Sequence, residues 1–398
     1  MSGRDSIHID CLHPSSWTQP TNSPKKLTLK FVDTRNKLCH NANTGNDTGT
    51  DAGIVPIRNA ISEMTTKKRT VTIQDVAKTA GVSVSTVSRV LNGKVDVAGD
   101  TQDRILAVID KLGYTSNLAA RSMRSRRKNL IGLVVPDIGF PYSIEVMKGI
   151  NRAIAESTFD LLVYTTGDIH KTGTPLHEQH YVSLLNNSIT DGVIIVASAA
   201  AEFITDAPII AVDPHVINPN YPSVQGTNYQ GTQEAMEYLL SLGHKRIGFI
   251  CGRPEIGSAV RRLQGYKDAL TKAGVEIDEK LIIGGDFTTK TGHLCALELM
   301  KLDNPPTAIF AANDQSAIGV FQAAEEMGLR IPEDLSVIGF DNISEAKYLG
   351  LTTVDQFLSE MGYIATQMLI KMVRDEDLEV HVHKMPTKLI KRTSCRAL

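Results

Sequence analysis

Residues 71–93 read VTIQDVAKTAGVSVSTVSRVLNG, two short helical patterns joined at a glycine. Thr72 with Asp75 three residues on has the spacing of a capping box, Val76, Ala77 and Ala80 give an apolar stripe, and Gly81 can take the left-handed conformation that stops a helix. Ser83 offers a second cap. The next helix is expected from about Val84 to Leu91, with Val87, Val90 and Leu91 inward, and Asn92-Gly93 ends it as a turn pair. A third ends near Leu112. Its apolar residues Ile105, Val108, Ile109 and Leu112 fall at i, i+3, i+4 and i+7, and Gly113 closes it. Two helices joined by a turn of about three residues, the second polar on its outer face, make a helix-turn-helix.

The charge around this stretch is unlike that of the rest of the chain. The full 398 residues carry a formal net charge of −2, yet residues 64–128 hold 13 Lys/Arg against 5 Asp/Glu, while residues 129–398 hold 22 against 33. A compact basic segment beside an acidic body is an electrostatic footprint for nucleic acid, because Lys and Arg displace counterions condensed on phosphate.

Upstream, residues 1–63 show no sustained periodicity, and NANTGNDTGTDAG (41–53) is poor in apolar residues and rich in turn formers. Residues 1–63 are read as a disordered leader or as the product of a start assigned too far upstream, since Met64 opens the run MTTKKRTVTIQDVA. No apolar run of roughly 18 residues exists, and residues 1–30 hold no signal-peptide core, so the expected address is the cytoplasm, with no membrane partner. The five cysteines (Cys11, Cys39, Cys251, Cys295, Cys395) are odd in number, scattered and without metal-ligand spacing, and read as free thiols. No metal or cofactor is expected.

Downstream, apolar runs bounded by Gly, Pro and Asp alternate with helical segments: 130–135, 161–165, 193–197, 209–213, 247–251, 281–284, 308–312 and 337–340. This alternation indicates α/β architecture, with doubly wound parallel sheets covered on both faces.

The residues carry a resemblance beyond periodicity. VTIQDVAKTAGVSVSTVSRVLNG resembles the headpiece signature of the lactose-repressor/galactose-repressor family of transcriptional regulators, and YTSNLAARSMRSRRKNLIGLVVPD (114–137) resembles its hinge and first sensor strand. The resemblance runs from about Val71 to the C-terminus. It implies an all-α helix-turn-helix headpiece (64–115), a hinge helix (116–128) and two doubly wound α/β subdomains of periplasmic-binding-protein type I (129–398). The first subdomain is expected over about 129–227 and 357–383, the second over about 228–356 and 384–398, with chain crossings near Asn228, Asp355 and Lys384.

By position in that signature, Val84, Ser85 and Arg89 should face base edges. Arg89 has the paired donors for guanine O6 and N7, Ser85 can donate or accept, and Val84 can pack on a thymine methyl. Thr72, Thr86, Ser88 and Asn92 suit phosphates. Asn117 would cap the hinge helix, which extends to Ser125, and Met123 would be its apolar wedge in the minor groove, where relatives usually carry leucine. Ser116 stands where relatives commonly have proline. The partners implied are a pseudo-palindromic double-stranded operator and a second copy of the chain, since each headpiece reads a half-site. No leucine heptad follows the sensor, so a tail-mediated tetramer is not expected.

Effector candidates sit where strands end, the edge at which α/β clefts collect polar groups. They are Asp213, Arg262, Phe287, Asn313, Asp341 and Gln356, at positions resembling those of the family and of pentose-binding periplasmic proteins. Phe140, with Asp137 and Tyr142, comes from the loop after the first sensor strand. Asp314 reads as a helix cap or a ligand contact, and Arg262 with Asp341 as a salt bridge or a ligand pair. Carboxylates, an amide and a guanidinium serve adjacent hydroxyls while an aromatic face covers a sugar ring, so the effector expected is a small neutral carbohydrate. Pro214 stands where pentose binders often carry arginine. An enzyme on the same scaffold is the rival reading, but IGFICGRPEIG lacks the GxGxxG order, there is no GxxxxGK[ST], and no histidine has nucleophile or metal spacing.

Overall fold

The computed structural model describes residues 71–91, 97–114, 128–167, 175–185, 189–216 and 219–398. The leader, the hinge helix with Asn117 and Met123, and the turn residue Asn92 lie outside them.

The headpiece is three helices, α1 (Ile73–Ala80), α2 (Val84–Leu91) and α3 (Gly99–Leu112). Thr72 and Asp75 form the capping box that their spacing predicts. The Asp75 carboxylate accepts Thr72 N at 2.9 Å, and Asp75 N donates to the Thr72 hydroxyl. Gly81 and Gly113 stop α1 and α3 at φ 67° and 60°. Ser83 Oγ accepts Thr86 N at 3.1 Å, satisfying a first-turn donor of α2. Val76, Ala77, Ala80, Val87, Val90 and Ile105 are the buried core, with Val108, Ile109 and Leu112 packed half-buried around it.

The sensor opens with β1 (Leu130–Val135), α4 (Pro141–Ala155), β2 (Asp160–Thr165), α5 (Pro175–Leu185), β3 (Gly192–Val196), β4 (Ile209–Val212) and β5 (Ser223–Gly226). It continues with α6 (Asn228–Ser241), β6 (Ile247–Ile250), α7 (Gly257–Lys272), β7 (Ile282–Ile283), α8 (Thr289–Met300), β8 (Ala308–Ala311), α9 (Asp314–Glu326), β9 (Ser336–Asp341), α10 (Ser344–Tyr348) and β10 (Thr352–Asp355). The chain closes with α11 (Leu358–Val373), β11 (Val382–Met385) and β12 (Lys388–Ile390). Two six-stranded sheets result, ordered β11-β5-β4-β3-β1-β2 and β12-β10-β9-β8-β6-β7, all parallel except β12 against β10.

The chain therefore passes between sheets three times, at 226–228, 355–358 and 385–388. The third crossing lies beyond Lys384, because β11 pairs with β5 through Met385↔Gly226 before the chain turns. Several strands also stop a residue short of the apolar run that announces them. Ala197 and Asp213 leave β3 and β4 at φ 55° and 47°, so their side chains depart from the sheet instead of extending it. Four strands escape an apolar-run criterion. β5 (SVQG) and β10 (TTVD) are almost wholly buried but polar, with Gln225 Nε2 donating to Ser223 Oγ at 2.9 Å, and β11 and β12 are short edge strands of mixed burial.

Helices α4 and α11 cover the first sheet and touch backbone to backbone. A Cβ on Gly149 would lie 1.6 Å from Ser359 O, and one on Gly362 would lie 2.2 Å from Val146 O. A Gly149→Ala substitution therefore has to push the helices apart, and should lower sensor stability by on the order of 3 kcal/mol in urea denaturation.

Candidate functional site

The carboxyl ends of both sheets face a cavity of about 650 Å³, part of it open to solvent. Pro136, Ala197 and Asp213 follow β1, β3 and β4 on one side, and Arg253, Asp286, Phe287, Asn313 and Asp341 stand at the ends of strands on the other. Helix α7 adds Ile256, Ser258 and Arg262, and the start of α4 adds Phe140, Tyr142 and Ser143. Of the effector candidates, Phe140, Asp213, Arg262, Phe287, Asn313 and Asp341 meet here, joined by Tyr142.

Arg262 is the centre of the arrangement. It is 3% exposed, donates from Nε to Asn228 Oδ1 at 2.8 Å and from Nη1 to Ala312 O, and stands 3.5 Å from Asp341 Oδ1. Its guanidinium lies 3.8 Å from the centroid of Phe340 and 5.9 Å from that of Phe287. Asp213 answers from the first sheet. Tyr142 OH donates to its Oδ2 at 3.5 Å, but Oδ1 is buried with no hydrogen-bond partner, as is Ser143 Oγ. Unsatisfied buried oxygens are costly, and a polar ligand in the cavity would satisfy them.

Desolvation sets the electrostatics. Burial raises Asp213, with Arg262 pulling the other way, and raises Asp341 to about 7 against the same guanidinium. Burial, then the Asp213 charge, pushes the Tyr142 phenol well up. Burial, with Arg253 beside it, brings His215 down to about 4, so its imidazole is neutral at physiological pH.

Three expectations need correction. Gln356 does not line the cavity. Fully buried in the second crossing, it donates from Nε2 to Asp341 Oδ1 at 2.7 Å and holds that carboxylate from behind. Asp314 neither caps α9 nor reaches the cavity. Asn313 is the cap, accepting Ser316 N at 2.9 Å, while Asp314 accepts Ile343 N and the Thr353 hydroxyl. Asp137 turns back to accept Gly139 N at 2.8 Å and does not line the cavity. Arg262 and Asp341, expected as a salt bridge or a ligand pair, are paired at 3.5 Å and both line the cavity.

Sequence reading missed Arg253, His215, Ser143 and Ser258. The signal was present, because His215 follows Asp213 by two residues and Arg253 lies three past the end of β6, within the same strand-end rule. Gly252 matters through its missing side chain, as a Cβ there would sit 2.0 Å from Phe287 Cζ. Helices on the two sheets also touch across the cleft: Ser344 Oγ of α10 donates to Glu145 Oε1 of α4 at 2.6 Å, and Gly257 N at the start of α7 donates to His215 O beyond β4 at 3.1 Å.

On the headpiece, Thr72, Ser85 and Arg89 are exposed, and Ser85 and Arg89 fall one helical turn apart on one face of α2. Val84, Thr86 and Ser88 are half-buried. Val84 packs against the core, and Ser83 Oγ bonds to the hydroxyls of both Ser85 and Thr86, at 2.7 and 2.8 Å.

Residues 72–117 match the profile described as "Bacterial regulatory proteins, lacI family", and residues 236–395 match "Periplasmic binding protein-like domain". The HTH-type transcriptional repressor PurR of Vibrio atlanticus is 32% identical over 336 residues, which is 82% of this chain and 99% of the relative. The chain belongs to the lacI family of bacterial regulatory proteins. Among solved structures, a Lac repressor dimer bound to operator and the anti-inducer ONPF is similar at a TM-score of 0.70 and 25% identity, covering 83% of this chain and all of that one. A lacI-family regulator from Enterococcus faecium with bound ribose is similar at 0.58 and 28% identity, covering 68% and 99%. This lacI-family chain is a transcriptional regulator and not an enzyme. Among its described residues no helix is long and apolar enough to cross a membrane.

The buried acids give the sensor a pH signature. As pH rises from about 4 to about 7 the unfolded chain releases the Asp341 proton while the folded chain retains it, so the Asp341 contribution to stability is lost through that window, while His215, neutral in the folded chain from about 4 upward, contributes in the opposite sense. Urea denaturation at pH 5 and pH 7.5 should show the wild type losing stability relative to Asp341→Asn as pH rises.

Proposed function

We propose that this lacI-family chain is a cytoplasmic repressor of sugar-utilisation genes that binds a pseudo-palindromic operator as a homodimer and is controlled by a small neutral carbohydrate held between its two sensor sheets. The working division is a headpiece over 64–115, a hinge over 116–128 and a sensor over 129–398. Arg89 and Ser85 read base edges, with Val84 beside them. Thr72, Thr86, Ser88 and Asn92 set register on phosphates, and Asn117 and Met123 serve the hinge. In the sensor, Asp213, Arg262, Asn313 and Asp341 take hydroxyls, Phe140 and Phe287 cover the ring, and Gln356 acts through Asp341.

The observation that supports the effector reading most is the pairing of two partnerless buried oxygens, Asp213 Oδ1 and Ser143 Oγ, with the buried Arg262–Asp341 pair and the Phe287 ring around one cavity. Donors, acceptors and an apolar face in so small a space fit a polyol ring. Ribose bound to the Enterococcus faecium neighbour agrees with that chemistry. Control is a population shift. A sugar preferring the sheet arrangement that suits DNA acts as corepressor, and one preferring the other acts as inducer.

The test is fluorescence anisotropy of a duplex selected from a random pool by the full chain, titrated with and without a panel of mono- and disaccharides. One sugar should shift the affinity, and the sign of the shift assigns its role. No response to any sugar would overturn the effector class. Arg89→Ala should cost about 1–3 kcal/mol on the selected duplex and much less on a scrambled one. Equal losses on both would reduce Arg89 to a phosphate contact.

A further inference from the structure

The junction where the sensor begins is held by a carboxylate that neither the cleft nor the headpiece uses. Asp191, in the turn before β3, accepts Lys128 N on both oxygens, at 2.9 and 3.0 Å, and Leu130 N at 3.2 Å. Its own N donates to Leu130 O at 2.8 Å. Lys128 Nζ reaches Thr190 O at 3.1 Å, and Thr190 is fully buried with its hydroxyl on Leu185 O at the end of α5. Asn129, between the two clamped amides, has φ 53°, and its carbonyl accepts Asp160 N at 2.8 Å.

Three consecutive residues are thus tied to the β3 turn, the end of α5 and the start of β2. The β1–β3 ladder itself begins only at Ile131↔Gly192. The clamp therefore adds order ahead of the sheet, at the last described residues before the segment that leads to the headpiece. A bidentate carboxylate on backbone amides is a strong, directional hold. The left-handed Asn129 fixes a turn that few residues adopt freely.

We propose that Asp191 is a positioning residue for operator binding: it fixes the direction in which the chain leaves the sensor toward the DNA-reading helices. This rests on the DNA-binding reading above. Specific binding by a symmetric dimer requires both headpieces at a set separation. Attraction to phosphate does not. Freeing the junction makes the specific complex order it at the moment of binding, while contacts with scrambled DNA lose nothing.

The full chain is compared with Asp191→Ala and Asp191→Asn on a duplex selected by the wild type from a random pool and on a scrambled duplex, alongside thermal unfolding. Freeing about one residue predicts a loss of about tenfold on the selected duplex for Asp191→Ala, with scrambled affinity unchanged. Asp191→Asn keeps one acceptor oxygen and should fall between, and it decides the matter if the alanine variant does not fold. Variants that bind the selected duplex like the wild type, or lose selected and scrambled binding alike, overturn the proposal. A wild type that selects no sequence at all fails the regulator reading and takes this inference with it.

Discussion

A guanidinium buried to 3% exposure is the constraint around which the sensor is arranged. Taking such a cation out of water is expensive unless its donors are filled and its charge is answered. Arg262 fills them from three places that are distant in sequence: Asn228 at the start of α6, the carbonyl of Ala312 past β8, and Asp341 at the end of β9. One side chain therefore ties together the point where the chain first reaches the second sheet and two strand ends that face the cleft. Asp213 supplies a second negative charge from the opposite sheet, so the balance of charge in the cavity depends on both halves of the sensor being present.

The backbone around this charge is held in uncommon conformations. Ala197, Asp213, Phe287, Asp341, Asn342 and Phe357 all have positive φ, and all stand at or just beyond strand ends or in a crossing between the sheets. Non-glycine residues there carry strain that the surrounding structure must offset, and such residues cluster where side chains have to be aimed. The aiming is evident. Asp213 leaves β4 for the cavity instead of continuing the sheet, and Phe287 swings over Gly252, the one neighbour whose lack of a Cβ leaves it room.

This pattern also explains which parts of the molecule were legible in the sequence. The capping box at Thr72 and Asp75, the glycine stops at Gly81 and Gly113, and the eight apolar strands follow from local chemistry that needs no partner. β5 and β10 were invisible because Ser223, Gln225, Thr352 and Thr353 are polar residues whose burial is made tolerable by a Gln225–Ser223 bond within β5, by Lys384 of the neighbouring β11 donating to Gln225, by Arg392 N donating to the Thr352 hydroxyl and by Asp314 accepting the Thr353 hydroxyl. The same holds within the site. Strand-end position located Asp213, Asn313 and Asp341. That Asp314 turns to Ile343 N and the Thr353 hydroxyl, and that Gln356 stands behind Asp341, depends on partners 15 to 39 residues away. Local spacing carries no information about those distances.

Gln356 shows how a cavity can speak to the crossings that join the two sheets. Its Nε2 holds Asp341, its Oε1 is buried without a partner, and that oxygen lies 2.7 Å from where a Cβ would stand on Gly226 in the first crossing. Next to it, the third crossing is pinned to the first, with Thr387 N donating to Thr227 Oγ1 at 3.0 Å. A ligand that competes for Asp341 alters the bond that positions Gln356, and Gln356 sits within one crossing while touching another. Such a ligand can shift the balance between two sheet arrangements only by as much as its contacts differ between them. On the proposed reading, a carboxylate shared among a guanidinium, a crossing amide and a ligand hydroxyl would be a contact of that kind, because none of its three partners could move without changing what the other two receive.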